Sequence, residues 1–210
     1  MQKQTSYTAV NTYNTLNELT NRTKNVWLVL HGIGYLSKFF IKHFSSLNAE
    51  ENYIICPQAP SKYYKDDQYR RVGASWLTKE NTLIDTDNVL NYLDAIMKQE
   101  HIPLNCKFIV LGYSQGVSIA SRWIAKRKHH CDRLIFISGV FPKELTTADF
   151  PHLNEHTILH HSVGSNDPIF DPKNVARQEA RMLNIFPNIK ITNHNGGHEL
   201  NTSLLERYLD

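Results

Sequence analysis

A serine stands between two glycines at residues 112–116, whose sequence is Gly-Tyr-Ser-Gln-Gly. The segment follows an apolar run at 108–111 and precedes a helical pattern, so it joins a strand to a helix. Glycines at both ends permit a sharp, strained turn that lifts the serine hydroxyl above the sheet. The same turn directs the N-terminus of the helix at a developing negative charge. The pattern predicts Ser114 as a nucleophile; the alternative is a tight turn with an inactive serine.

A serine nucleophile needs a base, which comes last in the order serine, acid, histidine that this kind of turn predicts. His198 follows Gly196 and Gly197, after the last apolar run and before the final helical pattern. The two glycines provide a flexible approach that lets an imidazole reach the serine. We therefore predict His198 as the base, with His194 as the alternative.

The acid is expected just after a later strand. Asp167 follows the apolar run 158–163 and precedes Pro168, in a turn. Asp171 lies four residues further on and is the rival. Because Asp171 stands before Pro172, its setting is more typical of a helix N-cap. The sequence favours Asp167.

Acyl transfer also needs backbone N–H groups that stabilise an oxyanion. Residues 30–34, Leu-His-Gly-Ile-Gly, end an earlier apolar run and form a glycine-rich loop that can approach a substrate closely. Ile33 is the candidate donor in this loop, and Gln115, directly after the nucleophile, is the second. A plain strand-to-helix turn is the alternative for residues 30–34.

The chain also contains histidine pairs with the spacing of metal ligands. A zinc pair four residues apart requires a continuous helix. Gly196 and Gly197 interrupt the pair His194 and His198, and the pair His156 and His160 runs into a strand. We expect no metal site and no cofactor.

Short apolar runs alternate with helical patterns along the chain, which predicts a mostly parallel sheet with helices on both faces. The strand candidates are 26–30, 53–56, 108–111, 134–137, 158–163 and 189–192. Five helical faces lie between or after them: Phe40, Phe44 and Leu47; Val89, Leu90, Leu93, Ile96 and Met97; Val117, Ala120 and Ile124; Ala176, Ala180 and Leu183; and Leu200, Leu204, Tyr208 and Leu209. Tyr7, Ala9 and Tyr13 suggest an additional edge hairpin.

The composition of the 210 residues is that of one globular domain, 1–210, with a formal net charge of +3. So small a surplus gives no reason to expect a nucleic-acid partner. The three cysteines are odd in number and cannot all pair with one another. The N-terminal residues lack the apolar core of a signal peptide, and no apolar run is long enough to span a membrane. We expect a cytoplasmic protein; nothing in the sequence predicts its oligomeric state.

Taken together, the motifs resemble those of the phospholipase/carboxylesterase group of α/β hydrolases, which includes acyl-protein thioesterases and small bacterial carboxylesterases. The resemblance covers 26–198 and rests on 30–34, 56–60 (Cys-Pro-Gln-Ala-Pro), Ser75-Trp76, 112–116, Ser138-Gly139, Asp167-Pro168 and Gly197-His198. It implies a single-domain α/β-hydrolase fold, the triad Ser114, Asp167 and His198, and oxyanion donors at Ile33 and Gln115. It also implies that Trp76 lines the substrate site. Val117 replaces the second glycine that the group usually has after the turn.

These observations predict a serine hydrolase that cleaves a small-molecule carboxylic ester or thioester by two-step acyl transfer. Residues 139–156, where this fold usually carries a cap, are too few to build a cap domain. We therefore expect an open site, with a wall from the 57–76 loop and its aromatic residues Tyr63, Tyr64, Tyr69 and Trp76. The alternative is a hydrolase-fold protein that binds a small molecule without turning it over.

Overall fold

A computed structural model describes residues 1–209, which form nine strands and four α-helices. The strands are β1 (Tyr13–Leu16), β2 (Asn25–Leu30), β3 (Asn52–Pro57), β4 (Ser61–Tyr64), β5 (Val72–Ser75), β6 (Lys107–Tyr113), β7 (Arg133–Ile137), β8 (Ile158–Gly164) and β9 (Lys190–His194). The helices are α1 (Ser37–Phe40), α2 (Thr82–Glu100), α3 (Gln115–Arg127) and α4 (Pro172–Ile185). Short 3₁₀ turns lie at Ile41–Phe44, Thr147–Asp149, Thr202–Leu204 and Glu206–Tyr208.

Seven of the strands form one sheet in the order β1-β3-β2-β6-β7-β8-β9. All neighbouring pairs in it are parallel except β1 and β3. The predicted strands are all present, with bounds that differ by no more than two residues. This confirms the mostly parallel sheet. In the described part of the chain, no helix has both the length and the apolar character that a bilayer crossing requires.

Alternate residues of β2, an interior strand, point to opposite faces of the sheet. Val26, Leu28 and Leu30 belong to one core, which contains residues of α2, α3 and α4. Trp27 and Val29 belong to the other, which is covered by α1, the turn after it and the C-terminal turns. Every residue of β2 is buried, as expected for a strand covered on both faces.

The direction of chain winding changes at β2, because β3 lies on one side of it and β6 on the other. The carboxyl ends of β2 and β6 are paired, with Leu30 opposite Gly112. Ligands of open α/β sheets bind at such a switch point, outside the carboxyl ends of the strands. The topology therefore brings the 30–34 loop beside the turn that contains Ser114.

Two predictions about the ends of the chain are wrong. Of the residues proposed for an N-terminal hairpin, only Tyr13 is in a strand, because residues 1–10 are exposed and pair with nothing. The final segment forms two 3₁₀ turns rather than a helix. Three residues per turn place Leu205 and Tyr208, which are both buried, on the same side.

Two features bear on access to the site. Between β7 and β8 the only regular element is the turn Thr147–Asp149, which confirms that the described chain has no cap domain there. The hairpin of β4 and β5 was not predicted. β4 is exposed throughout and β5 is buried after its first residue, so neither strand shows the alternation of apolar residues that marks a half-buried strand.

Candidate active site

Ser114 lies on a strained turn between β6 and α3, with φ 53° and ψ −117°. Its backbone N–H donates to Ile137 O of β7 at 2.8 Å, which holds the turn against the sheet. Glycine is required on both sides of it. A Cβ on Gly112 would lie 2.6 Å from Gly116 O, and one on Gly116 would lie 2.0 Å from Leu30 O. The turn has the geometry expected of a nucleophile elbow.

The three residues predicted as a triad form one hydrogen-bonded chain. His198 Nε2 is 2.9 Å from Ser114 Oγ, and His198 Nδ1 is 2.7 Å from Asp167 Oδ2. The Asp167 side chain is 1% exposed and its other oxygen accepts from Ile169 N–H at 3.0 Å. The structure therefore brings together a hydroxyl, an imidazole and a buried carboxylate in the arrangement that activates a serine.

Backbone contacts explain why residues so far apart in sequence meet here. Asn166 N–H donates to Gly196 O, and Ser165 N–H donates to His194 O, both at 2.9 Å. These bonds fasten the turn after β8 to the loop after β9. Tyr113, buried beneath this loop, donates its hydroxyl to His198 O at 2.9 Å. Burial raises the pKa of Tyr113 and keeps the donor protonated.

The two rival residues have other partners. Asp171 Oδ1 accepts from Lys173 N–H at 2.7 Å and is the N-cap of α4, as the sequence indicates. His194 is buried, and its Nδ1 is 3.0 Å from Ser162 Oγ. Neither is hydrogen-bonded to the imidazole of His198.

The predicted oxyanion donors lie beside the serine. A Cβ on Gly32 would be 3.0 Å from Ser114 Cβ, so the 30–34 loop touches the turn. Gln115 is the first residue of α3, where its N–H has no helical carbonyl to bond. In the described chain the N–H of Ile33 also has no backbone acceptor, although the next N–H, of Gly34, donates to Ala74 O at 2.8 Å.

His31 orients the peptide that carries the Ile33 N–H. Its Nε2 accepts from Ala59 N–H at 3.2 Å, so the neutral ring donates from Nδ1 to Gly32 O at 2.8 Å. Burial lowers the pKa of His31 to about 4 and keeps it neutral. Since the C=O and N–H of one trans peptide point in opposite directions, holding Gly32 O against the ring directs the Ile33 N–H away from it.

Trp76 is not where the resemblance implied. Its side chain is buried, with 1% exposure, and does not line the space beside Ser114. Instead its indole N–H donates to His31 O at 2.8 Å, and its ring lies 5.0 Å from the His31 ring. The side chain of Gln115 accepts from Trp76 N–H at 2.8 Å and donates to Leu77 O at 2.8 Å. Trp76 is part of the support beneath the 30–34 loop.

A cleft of about 870 Å³ opens beside Ser114 and His198. Its walls are the loop after β7 and the first turns of α4, not the 57–76 loop as predicted. Tyr63, Tyr64 and Tyr69 lie on or next to the β4–β5 hairpin and are 39%, 58% and 71% exposed. This segment pairs as a hairpin and contributes no residue to the cleft lining, and Tyr64 and Tyr69 pack edge-on against each other.

Sequence reasoning missed Gln178 and Arg181, which hold the cleft wall. Gln178 Nε2 donates to Gly139 O, and Gln178 Oε1 accepts from Phe141 N–H, both at 3.0 Å. Arg181 donates to the backbone oxygens of Phe141, Pro142 and Leu145. No sequence motif marks these residues, because their partners are backbone groups of a distant loop. Among the described residues, no cluster of histidine, cysteine, aspartate and glutamate is arranged to hold a metal.

Comparison with known proteins agrees with this geometry. Zea mays acyl-protein thioesterase 2 has a similar structure, with a TM-score of 0.71 and 17% identity, over 96% of this chain and 100% of that chain. The Bacillus cereus carboxylesterase gives a TM-score of 0.64 and 19% identity, with 95% and 92% covered. A phospholipase/carboxylesterase from Dyadobacter fermentans gives 0.62 and 18%, with 97% and 95% covered. These likenesses confirm the α/β-hydrolase fold.

Comparison of the sequence identifies a family but no individual relative among curated proteins. No curated protein is a significant match. A family model described as "Serine hydrolase (FSH1)" matches residues 20–204. The match includes the turn with Ser114 and the loop with His198, and it spans most of the chain. The protein belongs to the FSH1 serine hydrolase family.

Proposed function

We propose that this serine hydrolase cleaves carboxylic esters or thioesters through an acyl-enzyme formed on Ser114. The observation that carries the proposal is the chain of two hydrogen bonds, 2.9 Å and 2.7 Å long, from Ser114 Oγ through His198 to Asp167. Both are within hydrogen-bond reach, as required of a general base, its nucleophile and the acid that orients it. The strained backbone of Ser114 and the neighbouring 30–34 loop support the same reaction.

In the proposed reaction, His198 Nε2 takes the proton of Ser114 as Oγ attacks the carbonyl carbon of the substrate. Asp167 accepts the His198 Nδ1–H and stabilises the imidazolium that forms. The N–H groups of Ile33 and Gln115 stabilise the oxyanion. His198 then protonates the leaving alcohol or thiol. Water, deprotonated by the same imidazole, attacks the acyl-enzyme and releases the acid.

The cleft supports a small-molecule acyl substrate. Its walls carry apolar side chains, Val140, Phe141, Ile169, Phe170 and Val175, which can pack against an acyl chain. The structural neighbours include both a thioesterase and a carboxylesterase. The cleft has room for an ester or thioester of modest size.

Labelling with a fluorophosphonate probe tests the proposal directly. The probe should attach to Ser114, as located by mass spectrometry of the labelled peptide, and Ser114→Ala should remove both labelling and esterase turnover. The loss of turnover should be about 10⁴-fold or more. Ser45→Ala is the matched control. It alters an exposed serine that does not line the cleft and should label normally.

Two results would contradict the proposal. Labelling at another residue, or turnover that survives in Ser114→Ala, would place the nucleophile elsewhere. A folded protein that binds esters but is neither labelled nor active would instead be a non-catalytic binding protein with a hydrolase fold.

A further inference from the structure

The cleft wall formed by residues 139–145 is rigidly built. Arg181 donates to Phe141 O at 3.4 Å and to Leu145 O at 2.8 Å. One turn earlier on α4, Gln178 bonds to Gly139 O and Phe141 N–H, each at 3.0 Å. These bonds fasten the loop to α4 on both sides of Val140. The loop backbone is therefore positioned before a substrate binds, which lowers the entropy cost of binding.

The surface of this cleft is partly apolar and partly cationic. Val140 is 53% exposed and Ile169 is 64% exposed, so both present aliphatic surface to an occupant. Lys143, Arg177 and Arg181 line the same space, and Arg181 donates to the loop backbone. Lys143 belongs to the loop and Arg177 to α4, so the other two cations come from the two elements that Arg181 joins.

Neither of these cations has an acidic partner among residues 1–209, although several other basic residues of the protein do. Glu144, next to Lys143, pairs instead with Arg122 at 2.7 Å. The single carboxylate in the cleft lining, Asp171, caps α4 through Lys173 N–H. Lys143 and Arg177 are thus left as donors that face the cleft with no counter-charge from the protein.

We propose that the substrate carries an anionic group, a carboxylate in the simplest case, which Lys143 and Arg177 bind while the ester carbonyl lies at Ser114. The proposal rests on the proposed function and names a substrate class for it. The aliphatic surface of Val140 and Ile169 accommodates a short methylene chain. The guanidinium of Arg177 suits a carboxylate because it donates two parallel hydrogen bonds, and Lys143 adds a point charge.

Two pairs of chromogenic esters test this idea and distinguish where the anion resides. In the first pair it is on the acyl part: p-nitrophenyl hydrogen adipate against its neutral carboxamide analogue, p-nitrophenyl 5-carbamoylpentanoate. In the second it is on the leaving group: 3-carboxy-4-nitrophenyl hexanoate against p-nitrophenyl hexanoate. In one of the two pairs, we expect kcat/KM to be about tenfold higher for the anionic ester than for the neutral one. This is the effect of one charge-assisted hydrogen bond. Added salt at about 0.5 M should reduce this preference.

Variants assign the preference to the two cations. Lys143→Met and Arg177→Met should each lower the ratio of kcat/KM for the anionic and neutral esters several-fold, and the double variant should abolish it. Lys173→Met is the matched control. It removes one positive charge from the same helix, at a residue that does not line the cleft, and should keep the ratio.

Equal rates within both pairs, or a preference that survives the double variant, would overturn the inference. If Ser114→Ala then abolishes hydrolysis of all four esters, the proposed function stands and only the substrate class is wrong. Calorimetric binding of all four esters to Ser114→Ala makes the same comparison without turnover. The inference predicts about tenfold tighter binding of the anionic ester in one of the two pairs, and equal affinities within both pairs would contradict it even if no ester is hydrolysed.

Discussion

The carboxylate of Asp167 lies 2.7 Å from His198 Nδ1, whereas Asp171, four residues later, bonds to the backbone of its own helix. The difference follows from the turn after β8. It buries Asp167 beneath the loop that carries His198 and leaves Asp171 at the exposed start of α4. An acid that orients an imidazole must be held in this way.

Replacement of the two carboxylates should therefore have opposite consequences. Asp167→Asn should lower kcat by about 10³–10⁴-fold at neutral pH with little change in KM, because the wrong histidine tautomer is favoured. Asp171→Asn should retain most of the activity, since asparagine also caps helices well. Steady-state kinetics on both variants makes the comparison. A crippled Asp171→Asn with an active Asp167→Asn would reverse the assignment.

Trp76 should act through the 30–34 loop and not through substrate contact. Trp76→Phe removes the donor to His31 O and leaves that buried carbonyl without its partner, at a cost of about 1–3 kcal/mol in the free energy of unfolding. Because His31 orients the Ile33 peptide, we expect kcat to fall with KM nearly unchanged. Ester kinetics together with urea unfolding measure the two effects.

Trp123→Phe is the control for this variant. Trp123 is also fully buried, and its indole N–H donates to Asp94 Oδ1 at 2.8 Å, on the far part of α3. Trp123→Phe should lower the free energy of unfolding by a comparable amount but keep kcat. An increase in KM for Trp76→Phe, without a fall in kcat, would instead support the direct substrate contact that the family resemblance implied.

The absence of a cap between β7 and β8 in the described chain predicts simple access to the site. The rate on a soluble short-chain ester should rise smoothly with concentration and saturate. Lidded lipases behave differently, because their lid opens at the surface of aggregated substrate. Initial rates measured across the solubility limit of the ester test this. An abrupt increase at that limit would mean that another segment covers the cleft.

Buried histidines should make stability depend on pH. Burial lowers the pKa of His31 from 6.5 to about 4, and that of His160 similarly. Between these values the unfolded chain binds more protons than the folded protein, so the free energy of unfolding should decrease as pH falls from 6.5 towards 4. Each such histidine contributes a slope of about 1 kcal/mol per pH unit. Urea unfolding at pH 5, 6 and 7 measures it.

His31→Asn should reduce this slope by about the contribution of one histidine, because asparagine keeps an N–H donor but does not titrate. His156→Asn is the control. The His156 side chain is 84% exposed, so its surroundings change little on unfolding and the slope should be retained. An unchanged slope in His31→Asn would show that other groups determine the pH dependence.

The order of apolar runs and motifs predicted the sheet and the meeting of Ser114, Asp167 and His198 because these features depend on local rules. Strands buried on both faces are apolar throughout, and a strand-to-helix turn around a serine needs glycine whatever surrounds it. The carboxyl ends of parallel strands then lie along one edge. Hence residues 84 positions apart, Ser114 and His198, were placed together from sequence.

The cleft wall, the position of Trp76 and the C-terminal turns were decided only by the tertiary structure. Gln178 and Arg181 bond to backbone oxygens and an N–H of a loop nearly 40 residues away, and a backbone group has no signature in the sequence. Whether an aromatic side chain faces a cleft or the core depends on how its segment packs. The sequence determined which groups can react, and long-range packing decided what surrounds them. The reason is that hydrogen bonds to the backbone and the burial of large side chains depend on neighbours that only folding brings close.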